Sequence, residues 1–272
     1  MELAASPIAR GRTAEILAHG SHQVVKLFLA DVDPQEIALE EANSQRAHAC
    51  GATPIACHGR ITHGGRTGLI FDRLQGQSLT ATAERNLLLL GRSGRQLAEA
   101  HVSMHARTDG AFEPLAHALH RQLSIHAFSF LSAAQRDRAA DYINQLPGGS
   151  AVLHLDFHTQ NVFLHQGTLA TIDWQTTACG PPAADVAMTL FLLSEAELWP
   201  GISLFQLALY NAVRRILRNY YLNEYRRRSG MTLDEIARYR LSTLILRLGQ
   251  WQIQSETPKL QAEIRKLLGA DL

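Results

Sequence analysis

Asp156, Asn161 and Asp173 are the residues whose types and spacing could carry chemistry. Asn161 follows Asp156 by five residues in His154-Leu155-Asp156-Phe157-His158-Thr159-Gln160-Asn161, and Asp173 follows Asn161 by twelve. A loop holding an aspartate and an asparagine, followed by a hairpin ending in a second aspartate, can bring three oxygen-bearing side chains to one point. Magnesium takes hard oxygen ligands and keeps waters and substrate phosphates in its shell. The Asn161 carbonyl and the Asp173 carboxylate suit that need, and the separate Asp156 carboxylate can orient and deprotonate a substrate hydroxyl. Taken alone, aspartate and asparagine are ordinary turn residues. Their joint spacing favours a site over a turn.

A frame must position them. AVLHLDF, from Ala151, is a short apolar strand-like run, and NVFLH and LATIDW flank Gln166-Gly167, a pair suited to a hairpin turn. Upstream, QVVKLFL from Gln23 to Leu29 alternates at a period of two, with Val24, Lys26 and Phe28 on one face. Pro34 opens a helix that Gly51 and Pro54 end. IACHGRIT from Ile55 and GLIFDRL from Gly68 read as two strands joined at His63-Gly64-Gly65-Arg66. The expectation is strand, strand, helix, strand, strand. Beyond Ser78, apolar residues recur at helical spacing near 86–107, 115–127 and 132–145, with Ser132 as an N-cap and Pro147-Gly148-Gly149 as a stop. From Ala183 the chain reads as helical, broken near Pro200, Gly230 and Pro258.

HLDFHTQNVF followed by TIDW resembles the catalytic and metal-binding motifs of the aminoglycoside phosphotransferase and choline kinase group. These are small-molecule kinases with a protein-kinase-like fold. VVKLF resembles the lysine strand, GLIFDRLQGQSL the interlobe linker, LAEAHVSMHA the helix before the substrate region, and CGPPAADVA the segment after the metal aspartate. The resemblance implies an α+β, two-lobed fold: a small antiparallel sheet with one helix in residues 1–74, and a larger, mainly helical lobe in residues 75–272. It implies ATP and Mg2+ as cofactors and a small-molecule hydroxyl as acceptor. Asp156 would be the catalytic base, and Asn161 and Asp173 would bind Mg2+ bridging the nucleotide phosphates. Lys26 would pair with the α- and β-phosphates. Its partner would be Glu40 or Glu41, with Glu40 favoured by its spacing to His48 and Gly51. Val24 would touch the adenine, and linker backbone from Phe71 to Leu74, including Asp72, would hydrogen-bond the adenine edge. Asp185 would hold the catalytic loop.

The chain departs from the family pattern in three places. Leu155 stands where members carry glycine, and Thr159 and Gln160 stand where they carry proline and glycine. No GxGxxG precedes the lysine strand, so phosphate cradling falls to backbone amides and the Thr13 hydroxyl between Gly11 and Gly20. Leu155 and the glycine-poor loop motivate the alternative, a catalytically silent kinase fold that binds nucleotide or regulates. A metal-dependent hydrolase using His154, Asp156 and His158 is a weaker reading, since the kinase pattern makes both histidines structural. His101 and His105 lie one turn apart, but Val102 stands where a zincin carries glutamate.

Composition sets the outer bounds. The chain has 272 residues, 46% hydrophobic and 19% charged, with a formal net charge of +1. That balance gives no support to a dedicated nucleic-acid binder, and Arg226-Arg227-Arg228 reads as a solvated helix end. Three cysteines, never spaced as CxxC, fit a reducing compartment, and the first residues lack an apolar leader. No apolar run is long enough to span a bilayer. A cytoplasmic enzyme without membrane or nucleic-acid partners is expected. The helical tail offers Glu195, Glu197, Glu224, Asp234 and Glu235, but arginines crowd several of them, which ranks a metabolic alcohol or amino sugar above a polycationic antibiotic. A choline-like acceptor would need an aromatic cage, for which the chain carries the tryptophans Trp174, Trp199 and Trp251.

Overall fold

The computed structural model describes residues 6–197 and 203–269. The helix break expected near Pro200 and the side chain of Trp199 lie outside the described residues. An antiparallel sheet comes first: β1 (Ala9–Arg10), β2 (Ala14–His19), β3 (Gln23–Phe28), β4 (Cys57–His63) and β5 (Arg66–Asp72), in the order β1-β2-β3-β5-β4. Three strands, not two, precede the helix. The additional one, β1, is two residues long, too short for alternation to register. In β3 the predicted faces separate: Val25 and Leu27 pack with Leu17 on one side, while Phe28 joins Ala14, Leu69 and Ile37 on the other. Ile37 belongs to α1 (Pro34–Ala49), which Asp33 caps by accepting the Gln35 N–H and which Pro34 opens. Between β4 and β5, Gly64 and Gly65 both take positive φ, the conformation the turn requires.

After β5 the chain crosses into a helical lobe. The strand β6 (Gly76–Ser78) pairs with β8 (Val162–His165), which in turn forms the predicted hairpin with β9 (Thr168–Thr171) across Gln166-Gly167. The AVLHLDF run is a strand only over β7 (Ala151–Leu153), paired with β10 (Ala178–Gly180). His154 to Phe157 leave the ladder and form a loop. LATIDW likewise leaves its strand after Thr171.

The helices are α2 (Leu79–Arg85), α3 (Leu90–His105), α4 (Leu115–Leu123), α5 (Ala133–Asn144), α6 (Pro182–Leu192), α7 (Leu204–Ser229), α8 (Leu233–Ala237), α9 (Arg240–Trp251) and α10 (Thr257–Leu268). Ser132 caps α5 in a reciprocal box with Gln135, and Gly230 ends α7 at φ 75°. Two expectations shift. A 3-10 turn over Leu87–Leu89 splits the predicted 86–107 helix from its first residues, and Pro258 opens α10 rather than breaking a helix. Helix α3 meets α7 through Gly91 and Gly94: a Cβ on Gly94 would stand 2.7 Å from Tyr220 Cβ and 2.8 Å from Leu217 O. Ala47 of α1 is buried in the same core as Leu97, Phe157 and Trp174, so the N-terminal helix docks on the helical lobe. Among the described residues no helix is long and apolar enough to cross a membrane.

Candidate active site

Strand register fixes Lys26 between Ile16 on β2 and Leu69 on β5. From there its ammonium reaches Glu40 Oε1 at 2.5 Å and Asp173 Oδ1 at 2.9 Å, across the cleft. Glu40 lies on the buried stripe of α1 with Ile37, Asn43, Ser44 and Ala47. Glu41 points elsewhere and accepts from Arg60 Nε at 2.5 Å. Two carboxylates therefore share one ammonium, and the cluster carries surplus negative charge. Burial pushes the Glu40 carboxyl up to about 7, Lys26 opposing and Asp173 adding to it. Burial also disfavours the charged form of Lys26, but Asp173 and Glu40 outweigh that and hold the ammonium well above its ordinary range. For Asp173 burial pushes up and the Lys26 ammonium pulls down, with the net below the usual carboxylate range.

The loop between β7 and β8 positions Asp156. Asn161 donates from Nδ2 to the Asp156 carbonyl at 3.0 Å and to Asp156 Oδ2 at 3.3 Å. That commitment leaves Asn161 Oδ1 as the atom for a cation. The Asn161 carbonyl accepts the Ile172 N–H at 3.0 Å, which ties the loop to the residue before Asp173. Asp173 itself takes φ 69°, turning its carboxylate out of the strand path. Hard oxygens and surplus negative charge fit a divalent cation such as Mg2+.

His154 and His158 bracket Asp156 differently. His154 Nε2 lies 2.9 Å from the Ile172 carbonyl and its Nδ1 accepts the Asp156 N–H at 3.3 Å. His158 Nε2 stands 3.5 Å from Asp156 Oδ2. These three do not converge as metal ligands. Among the described residues the group close enough to share an ion is His101, His105 and Asp185, all buried and bound into hydrogen bonds of their own.

Asp185 is fully buried at the start of α6 and accepts the N–H groups of His154 at 2.5 Å and Leu155 at 2.9 Å. His101 Nε2 lies 3.1 Å from its Oδ2, off the axis of a hydrogen bond, and His105 Nε2 lies 3.3 Å away. Complete burial, reinforced by His105 and opposed by Asp185, pushes the His101 ring down to about 3, so that ring is neutral.

The nucleotide side is less fully marked. Val24 shares the Lys26 face and pairs with Phe71 of β5. Asp72 is tied up within the lobe: its carboxylate accepts from the Ala56 N–H at 2.9 Å and sits 2.8 Å from His58 Nε2, while its own N–H donates to the Ala56 carbonyl at 3.1 Å. Leu74 is half-buried two residues on. Between β1 and β2 the Gly11 N–H is spent on Ala14 O and the Thr13 carbonyl accepts the Leu29 N–H, which fixes the backbone of this short turn.

The phosphotransferase enzyme family model matches residues 5–230, most of the chain. The chain belongs to the phosphotransferase enzyme family. A thermostable mutant of aminoglycoside phosphotransferase APH(4)-Ia, in ternary complex with AMP-PNP and hygromycin B, superposes with a TM-score of 0.64 at 16% identity, covering 99% of this chain and 95% of that one. Aminoglycoside-3'-phosphotransferase of type VIII gives 0.57 at 18% identity over 89% and 92%. A choline/ethanolamine kinase family protein from Mesorhizobium loti gives 0.57 at 13% identity over 99% and 89%. No curated protein matches the sequence significantly. These likenesses establish the kinase-like, two-lobed α+β fold of this phosphotransferase.

Within that fold Leu155 is the informative departure. It takes φ 60°, the glycine-like conformation, with its side chain fully buried. Such backbone costs about 1–3 kcal/mol, and the Asp185 carboxylate holds the Leu155 N–H and the His154 N–H before it. Sequence reasoning did not find what holds Asp185: the two histidines were visible as an i, i+4 pair, but their further partners lie 120 residues downstream.

Proposed function

We propose that this phosphotransferase moves the γ-phosphoryl group of ATP to a hydroxyl of a small molecule, with Asp156 as base. The observation that carries this reading is Lys26 bonded to both Glu40 and Asp173, facing the loop where Asn161 braces Asp156. In the proposed step the Asp156 carboxylate takes the acceptor proton, the acceptor oxygen bonds to the γ-phosphorus, and the β–γ bridging oxygen leaves with ADP. Lys26 binds the α- and β-phosphates, Val24 lies against the adenine, and backbone near Asp72 and Leu74 meets its edge. Asn161 Oδ1 and Asp173 hold Mg2+, which when bound neutralises phosphate charge. A fold relative crystallised with AMP-PNP and hygromycin B supports a nucleotide and a hydroxyl-bearing acceptor.

The lobes divide at residues 74 and 75 in this reading. Support comes from β5 ending at Asp72 and β6 pairing with β8 from Gly76 onward. Dependence on ATP, together with three free cysteines, supports a cytoplasmic setting.

Asp156→Ala is expected to abolish turnover, at least 10²-fold by the usual scale of general-base loss, while nucleotide binding persists. Asp173→Ala should instead remove the Mg2+ dependence of nucleotide binding, read by thermal shift with and without the ion. Full turnover in the first variant removes Asp156 from the mechanism. The silent-kinase reading draws on Leu155 and the glycine-poor loop. ATP hydrolysis without acceptor, sensitive to Asp156→Ala, eliminates it.

A further inference from the structure

Asp185 holds the catalytic loop, two histidines stand against Asp185, and two tyrosines stand behind the histidines. We propose that Tyr221 and Tyr225 on α7 are positioning residues for the catalytic loop, their hydroxyls selecting the ring tautomers of His101 and His105 that present Nε2–H to Asp185. The consequence for turnover rests on the reading of Asp156 as base; the tautomer assignment does not.

The two helices meet rung by rung. His101 and His105 lie one turn apart on α3, Tyr221 and Tyr225 one turn apart on α7, and each histidine Nδ1 is 2.7 Å from its tyrosine oxygen. Gly91 and Gly94 permit this approach, since an added Cβ on either would run into Tyr220. His101, Tyr221 and Asp185 have no exposed surface, so water cannot substitute for the links of that rung. Phe157 stacks on the His101 ring at 4.0 Å and 13°, which fixes the plane of that ring.

A neutral imidazole carries a single proton, on one nitrogen or the other. A proton on Nδ1 would set the Nε2 lone pair against an Asp185 oxygen in a dry site, 3.3 Å away in hydrogen-bond geometry at His105 and 3.1 Å away off that axis at His101. A tyrosine O–H donating to Nδ1 requires that nitrogen to be bare, which places the proton on Nε2, facing the carboxylate. Packing alone would be served as well by phenylalanine at both positions. The hydroxyls matter for the proton. From Nε2–H the chain of contacts runs through Asp185 to the amides of His154 and Leu155, and so to a strained φ of 60° one residue before Asp156. Removing the hydroxyls frees the tautomers, weakens the hold of Asp185 and lets Leu155 relax.

The test uses the full chain with Tyr221→Phe, Tyr225→Phe and both together. Nitrogen-15 spectra of labelled histidine should report Nε2–H tautomers at His101 and His105 in the wild type, and mixed tautomers in the double variant. Amide hydrogen exchange at His154 and Leu155 should accelerate about tenfold, and ADP formation should lose about tenfold in kcat with KM for ATP unchanged, the scale of one hydrogen bond lost behind a positioned group. A purely structural role would lower the melting temperature without moving the tautomers. An Nδ1–H tautomer or a doubly protonated ring in the wild type at either position overturns the proposal, even if the double variant fails to fold. So do unchanged exchange and kcat in the folded variants. Should Asp156→Ala turn over like the wild type, the base assignment fails, while the spectra and the exchange rates still judge the relay.

Discussion

Glu40 and Asp173 compete for one ammonium, and the loser is the more deeply buried of the two. With its carboxyl pushed up to about 7 from 4.5, the folded protein binds a proton there that the unfolded chain has released. The stability this contributes is complete below pH 4.5 and is lost as pH rises through about 7. Glu40→Gln imitates the protonated form at every pH. Its melting temperature relative to the wild type should therefore improve steadily from about pH 5 to about pH 8, measured without nucleotide. Function should move the other way: a glutamine cannot orient Lys26 by charge, and KM for ATP should rise roughly tenfold, the worth of one charge-assisted hydrogen bond. A flat difference between the two melting profiles would show that Glu40 is ionised throughout. Asp156, Asn161 and Asp173 were legible as a set because chemistry restricts both their types and their spacing. Glu40 was favoured over Glu41 by its spacing, and the helix face agrees, burying Glu40 with Ile37, Asn43 and Ala47.

Among the elements, α3 and α7 form the tightest join, and Gly94 makes it. A glycine in mid-helix ordinarily costs up to about 1 kcal/mol against alanine, so Gly94→Ala would stabilise an isolated α3. Here the new methyl would meet Tyr220 Cβ at 2.7 Å, Leu217 O at 2.8 Å and the Tyr221 N at 3.2 Å. Two of these are backbone atoms that cannot rotate away, and overpacking of this kind costs about 1–3 kcal/mol. Sterics win. Gly94→Ala should lower the melting temperature by about 2–4 °C per kcal/mol lost, whereas Gly110→Ala, with nothing within 4 Å, should not. Equal melting points for the two variants would show that α7 yields to the methyl. Elements like α1 and α5 were readable because their start signals are local: Pro34 opens one and Ser132 caps the other. The loop after Leu153 was not, since AVLHLDF is apolar enough to continue as strand. What ends it is Asp185, thirty residues on, which takes the amides of His154 and Leu155 out of any ladder. β1 and β10 were likewise unreadable, being two and three residues long and defined only by their partners.

At the scale of the whole molecule the lobes are pinned together around the cleft. Asn43 of α1 donates to the Trp174 carbonyl at 3.1 Å, Thr53 to the Thr171 carbonyl at 2.7 Å, and Arg46 to the Ala111 carbonyl at 2.7 Å. The first two anchor the strand end that carries Asp173, so interlobe geometry and the Lys26–Asp173 contact are set by the same bonds. In the proposed reading, what the molecule offers an acceptor depends on charge in the helical tail. Glu195 is paired with Arg240 at 2.5 Å and with Lys259 at 3.3 Å, Glu263 with Arg240 at 2.7 Å, Glu256 with Arg247 at 2.7 Å, and Glu224 with Arg227 and Arg228, each at 2.6 Å. A polycation would have to displace guanidinium groups already held bidentate, as Arg247 is on Glu256. Breaking the buried Arg247–Glu256 pair costs about 3–5 kcal/mol, more than an exposed ammonium on the ligand recovers, while the more exposed pairs of Glu195, Glu263 and Glu224 are worth less. Aminoglycosides at about millimolar concentration should therefore neither raise ADP formation above the acceptor-free rate nor shift the melting temperature by more than about 1 °C, a concentration at which binding of ordinary metabolite affinity would register. Metabolic alcohols and amino sugars, which ask little of these carboxylates, are the compounds expected to stimulate turnover. Saturable stimulation by an aminoglycoside, lost in Asp156→Ala, would mean that the paired glutamates open to receive it and that charge in the tail does not set the acceptor.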